Sequence, residues 1–230
     1  MTFFDNKGID CLVVIGSHAR GDDDYDSDVD LLGISEYLDK KIFYVNKVNL
    51  SVYSYKHIEN MMKDGDLFAL HLKLEGKALI NSVMFNRLIR KFRYKTNYTY
   101  DKKISFVMGM NILHYENEIL NWEVANKRIA WCVRTFLLSS MAEEKNVSFS
   151  KKDIALFSQE RKYLSYRDCL DLINAKSFKG KRNTLLNLLN DFISLIDEYR
   201  PTRSEFIRLM ENESILINTI DQMRFDFYSY

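Results

Sequence analysis

Gly16-Ser17, followed after ten intervening residues by Asp28-Val29-Asp30, is the one pattern in this chain whose residue types and spacing state a chemistry. Cys11-Leu12-Val13-Val14-Ile15 is a short, largely β-branched apolar run that reads as a buried strand ending at Gly16. Gly16 and Ser17 would then open a helix. Glycine lets the backbone approach a bulky phosphate, and the free N–H groups of a helix start, with the Ser17 hydroxyl, donate to anionic oxygens. Asp28 and Asp30 lead into a second apolar run. In a strand, residues two apart share a face, so the two carboxylates converge while Val29 and Leu31 turn to the core. Two such anions about 4 Å apart repel by roughly 4 kcal/mol at an effective dielectric near 20, which calls for a cation or a shared proton. Hard oxygen ligands of this kind suit magnesium or manganese.

Gly16-Ser17-x-Ala19-Arg20-Gly21 and Ser27-Asp28-x-Asp30-Leu31 resemble the signature of the DNA polymerase β-type nucleotidyltransferase superfamily, in its small prokaryotic members, the minimal and aminoglycoside nucleotidyltransferases. The motif covers about the first third of the chain. The resemblance implies a nucleoside triphosphate substrate, ATP first, with Gly16, Ser17, Arg20 and Ser27 at the nucleotide and Asp28 and Asp30 on Mg2+ or Mn2+. Arg20 would pair with phosphate or orient the acidic loop that follows it.

Members of that superfamily usually add a third carboxylate from a neighbouring strand. The matching segment here is Lys47-Val48-Asn49-Leu50-Ser51-Val52-Tyr53, which alternates Val48, Leu50 and Val52 with Lys47, Asn49 and Ser51. Its polar face carries no acid. Asn49 falls where the carboxylate is expected, and a neutral amide is a poor general base. The base then comes from elsewhere, or the domain binds nucleotide without turning it over. If the base comes from the bundle, its first helix is the place to look, because Glu116, Glu118 and Glu123 lie near its C-terminal half, interleaved with His114, Tyr115 and Trp122, and Glu116 is the candidate catalytic base among them. Glu75 reads instead as a surface residue beside the helix stop at Gly76.

These residues need a scaffold, and the hydrophobic pattern supplies one. Strands are expected over 11–15, 29–34, 42–53 and 78–80, with helices from about 17 and over 55–75. After residue 103 the pattern turns helical. Ile104, Val107, Met108 and Ile112 mark one helix, Ile129, Val133, Phe136 and Leu137 a second, and Leu185 to Ile196 a third, with Pro201 opening a last helix through Leu209 to Ile220. The fold class is α+β: a mixed sheet with flanking helices in a nucleotidyltransferase domain over 1–97, then an α-helical bundle over 98–230.

At 230 residues and 47% apolar content the chain can bury a substantial core. A formal charge of +1 excludes a global basic field, although Arg87–Lys95 and Lys179–Arg182 are locally basic and could contact RNA or a triphosphate. Cys11, Cys132 and Cys169 are scattered without metal-ligand spacing, which fits buried thiols in a reducing cytoplasm. No export signal and no ~20-residue apolar span appears, which argues against a membrane. Arg128 and Arg134 lack the downstream histidine, after four to six intervening residues, that marks toxin-type nuclease helical domains, so ribonuclease activity is not expected.

The leading expectation is a metal-dependent nucleotidyltransferase that moves a nucleoside monophosphate onto a hydroxyl of a protein, an RNA or a small molecule and releases pyrophosphate. The resemblance adds a toxin–antitoxin or phage-defence setting and a homodimer. The alternative is a catalytically weak, nucleotide-binding regulatory or antitoxin-like module acting through its helical half.

Overall fold

The computed structural model describes residues 8–21, 28–38 and 41–224 of the chain. It divides into two compact units, Met1–Lys95 and Thr96–Tyr230. The first holds a five-stranded mixed sheet with helices, and the second is helical throughout. The fold is α+β.

In the first unit, β1 (Cys11–Ile15) runs directly into α1 (Gly16–Arg20), and β2 (Val29–Ser35) pairs antiparallel to β1. β3 (Lys41–Val45) and β4 (Val48–Ser54) form a hairpin, and β4 lies parallel to β2. β5 (Lys77–Ile80) adds to the other side of β1, giving the order β3-β4-β2-β1-β5. The remaining helices are α2 (Tyr55–Asp64), α3 (Leu67–Glu75) and α4 (Ser82–Ile89).

Strand alternation sends Leu12, Leu31, Leu50 and Val52 to one face, where Val29, Val48 and Phe43 pack beside them. Leu32 and Ile34, on the other face with Asp30, are completely buried together with Val13 of β1, Ile58 and Met62 of α2, and Leu70 and Leu72 of α3. The core therefore lies on both sides of β2, not only on the side of Val29 and Leu31. Burying Leu32 and Ile34 contributes roughly 2 kcal/mol each. A one-residue slip of β2 would expose both and carry Asp30 to the opposite face, so these two side chains set the register that aims the carboxylate.

Two expected elements are broken in ways the local residues explain. The strand expected over 42–53 is the β3–β4 hairpin, turned at Asn46 with φ 53°, a left-handed conformation that asparagine tolerates. The helix expected over 55–75 is split into α2 and α3. Gly65 ends α2 at φ 67°, and a Cβ there would lie 2.4 Å from the Arg93 carbonyl oxygen. Asp66 then caps α3, its Oδ1 accepting from the Phe68 and Ala69 amides at 2.7 and 3.3 Å.

The second unit is built on α5 (Thr99–His114) and α6 (Trp122–Glu143). α5 is buried nearly all round, from Lys102 to Ile112, so it is a central helix rather than one with a single apolar stripe. Its N-cap residue, Tyr98, has no side-chain cap, and Glu143 at the end of α6 accepts from the Tyr98 amide at 2.8 Å. α7 (Lys151–Glu160), α8 (Tyr166–Ile173), a 3-10 turn over Asn174–Ser177 and α9 (Asn183–Leu195) follow. The expected last helix is two, α10 (Arg203–Asn212) and α11 (Ser214–Arg224). Thr202, not Pro201, starts α10, through a capping box with Glu205.

Candidate functional site

Ile15, Asp30 and Asn49 stand side by side across β1, β2 and β4, at the end of the sheet where β1 gives way to α1. Gly16 is the first residue of α1 and has φ 73°, which a residue with a Cβ adopts only at a cost of about 1–2 kcal/mol. Space is limiting as well. A Cβ on Gly16 would lie 3.1 Å from Asp30 Oδ2. The glycine therefore serves two ends, turning the chain from strand to helix and letting the turn pass close to the Asp30 carboxylate.

The other oxygen of that carboxylate is also placed. Asn49 Nδ2 donates to Asp30 Oδ1 at 3.2 Å, across adjacent strands in register. Asp30 is thus held between the Gly16 turn and the Asn49 amide, half-buried, while Asp28 is exposed just before β2. Ser17 is half-buried in the first turn of α1, beside Gly16. Val29, between the two aspartates, donates its amide to the Lys47 carbonyl at 2.7 Å, which ties the start of β2 to the start of β4. Ser27 lies outside the described residues.

Arg20 closes α1 and turns to α3. Its Nη1 donates to Glu75 Oε2 at 2.6 Å, and His71 Nε2 meets the same oxygen at 2.9 Å. Glu75 is not the surface residue its position beside a helix stop suggests, because its side chain is only 11% exposed. Burial opposes its charge, but the bonds from His71 and Arg20 outweigh burial and hold its carboxyl below the ordinary value. The cluster fastens the short helix carrying Ser17 to α3. Sequence spacing hides it: Arg20 and Glu75 are 55 residues apart, and the only local signal is the His71–Glu75 pair four apart on one helix.

Glu116 falls in the turn that follows α5, not on the helix, and is half-buried. Glu118 in the same turn pairs with Arg224 at 2.5 Å, and Glu123 opens α6 and pairs with Lys127 at 2.7 Å. These two carboxylates are engaged within the helical unit.

Among the described residues no group of three or more His, Cys, Asp or Glu could by itself enclose a metal ion. Asp28 and Asp30 could hold magnesium in the other way, in which one or two carboxylates share the ion with substrate phosphates and water. Asp30, turned to the Gly16 turn, suits that mode. Among the described residues no helix is long and apolar enough to cross a membrane.

No family model and no curated protein matches the chain. A solved structure, a nucleotidyltransferase-like protein from Exiguobacterium sibiricum, is similar to it at 16% identity, over 91% of this chain and 83% of that one, with a TM-score of 0.34.

Proposed function

We propose that the Gly16 turn and the Asp28–Asp30 strand end form a nucleoside-triphosphate site for metal-dependent nucleotidyl transfer. One observation supports it above the rest: Gly16 in a left-handed conformation, packed against the carboxylate of Asp30 where a side chain would intrude. A strand-to-helix turn stripped of its Cβ next to an acid is what a triphosphate bridged to carboxylates by a cation requires. On this reading the amides opening α1 and the Ser17 hydroxyl receive phosphate oxygens, Asp28 and Asp30 hold Mg2+ or Mn2+, and Arg20, anchored on Glu75, keeps α1 in place. The metal would neutralise the phosphates and the charge developing as an acceptor hydroxyl displaces pyrophosphate. ATP is the first nucleotide to try. The acceptor hydroxyl belongs to a protein, an RNA or a small molecule.

The hydrogen bond from Asn49 to Asp30 supports a second reading, a module that binds the nucleotide and signals through its helical half. An amide there cannot take the proton of an attacking hydroxyl. Incubation with each α-labelled triphosphate, Mg2+ or Mn2+ and candidate acceptors separates the two. Transfer of the label to the acceptor that disappears in Asp28→Asn and in Asp30→Asn supports the enzyme, and turnover left intact in Glu116→Gln removes Glu116 as the candidate base. Tight binding of the triphosphate without turnover under any acceptor sinks the enzymatic reading and leaves the module.

A further inference from the structure

Two basic runs stand in the chain, and the structure treats them differently. In the first, Lys91 sits 2.5 Å from Glu59, which also pairs with Lys63 at 3.1 Å and Lys56 at 3.5 Å. That carboxylate takes up one cation of the run, Lys91, while Arg87 and Arg90 are exposed. In the second, Lys179, Lys181 and Arg182 are exposed, and among the described residues none of them forms an ion pair. Along the chain no acid occurs between Asp171 and Asp191.

What these cations rest on is aromatic. The Arg182 guanidinium carbon lies 3.6 Å from the centroid of the Phe178 ring, and Lys181 Nζ lies 5.6 Å from that of Trp122 at the start of α6. A ring takes the flat side of a guanidinium and leaves its in-plane N–H donors for an anion, whereas a carboxylate would have taken the donors themselves. The loop that carries them is also held in shape. Asn126, 1% exposed on α6, donates both hydrogens of its amide, to the Phe178 carbonyl at 2.9 Å and to the Gly180 carbonyl at 3.0 Å. Gly180 has nothing within 4 Å of where a side chain would stand, so the backbone is open to close approach at the middle of the loop. Glu123 is the acid in this neighbourhood; Lys127 engages it, and Lys179 lies near enough to help hold its carboxyl below the ordinary value.

We propose that the loop from Phe178 to Arg182, with Trp122, binds single-stranded nucleic acid. Lys181 and Arg182, with Lys179 beside the Glu123 carboxylate that Lys127 already engages, supply the phosphodiester contacts, and the stacked Arg182–Phe178 pair offers a flat surface on which a base can lie. The rings are half-buried under cations rather than projecting as an anchor would into a lipid surface. Binding here does not depend on the triphosphate site in the other unit.

The test is fluorescence anisotropy of the full chain with labelled 20-nucleotide single-stranded RNA and DNA and a double-stranded control, without metal or triphosphate, at low and moderate salt. Lys179→Ala/Lys181→Ala/Arg182→Ala should weaken single-strand binding at least tenfold and reduce the slope of log K against log salt by about 2, from about 0.7 per phosphate contact on a single strand. Phe178→Leu should weaken binding about threefold or more with the salt slope kept. Arg87→Ala/Arg90→Ala and Asp30→Asn should bind like the unmodified chain, which separates this surface from the nucleotide site. A preference for RNA or for DNA identifies the strand that the surface takes. Unchanged binding in the triple variant overturns the proposal, as does a chain that sediments with phosphatidylserine vesicles but retains no nucleic acid.

Discussion

In the first unit Glu75 receives Arg20 and His71 and fastens the helix that follows the Gly16 turn; in the second, Glu143 receives Lys102 at 2.6 Å and caps the start of α5. Both are carboxylates against cations withdrawn from water, yet they respond to opposite ends of the pH scale. Burial lowers the Lys102 affinity for its proton, and Glu143 and Tyr199 more than restore it, so its ammonium is held above the ordinary value of 10.5. Glu75 is held below its ordinary 4.5. A depressed carboxyl stabilises the fold above its unfolded value and loses that contribution as pH falls through the folded one. A raised ammonium stabilises below its unfolded value and loses it as pH rises through the folded one. Acid should therefore loosen the first unit through Glu75, and alkali the second through Lys102. The Glu75 cluster thus gives the scaffold of the Gly16 turn an acid response, and the Lys102–Glu143 pair gives α5 an alkaline one.

The largest expected effect comes from Glu143→Ala, which strands Lys102, 5% exposed, among Phe136 and Tyr199 without its acid. Urea unfolding at pH 7 should show a loss of about 3–5 kcal/mol, with most of it returned by adding Lys102→Met. A loss under ~1 kcal/mol would mean that the two pairs are not alike. Glu75→Gln should cost about 1–3 kcal/mol at pH 7, since Arg20 keeps a hydrogen-bond acceptor but loses the charge. That difference should shrink as pH falls below about 4.5, the ordinary carboxyl value, and persist on the alkaline side. If it persists in acid instead, Glu75 is not the titrating element. Gly16→Ala should cost at least about 1–2 kcal/mol through left-handed backbone strain, which carries no proton, with the close contact to Asp30 Oδ2 added to it.

The sequence reveals what depends on neighbours along the chain. β1, the turn at Gly16 and the alternation of β4 that aligns Asn49 with Asp30 are all legible, because periodicity two and a glycine state them locally. The Gly65-Asp66 break was also written in the residues, a helix stop followed by a cap, although the apolar spacing across it reads as continuous. Arg20–Glu75 is different in kind. It arises only when α1 and α3 have packed, and a carboxylate beside a helix stop looks like surface until the partner arrives. The turn that takes Glu116 off α5 is equally invisible, because His114-Tyr115-Glu116 continues a plausible helical sequence.

Cys11, Cys132 and Cys169 are buried, and desolvation pushes their thiols up to about 11, 12 and 11. None presents a thiolate to reagents while the chain is folded, since the reactive form needs both exposure and deprotonation. Their distribution gives the molecule an internal clock: Cys11 sits in the strand leading to the Gly16 turn, and the other two in the helical unit. The order in which a thiol reagent finds them during unfolding records which half opens first, without any label being added.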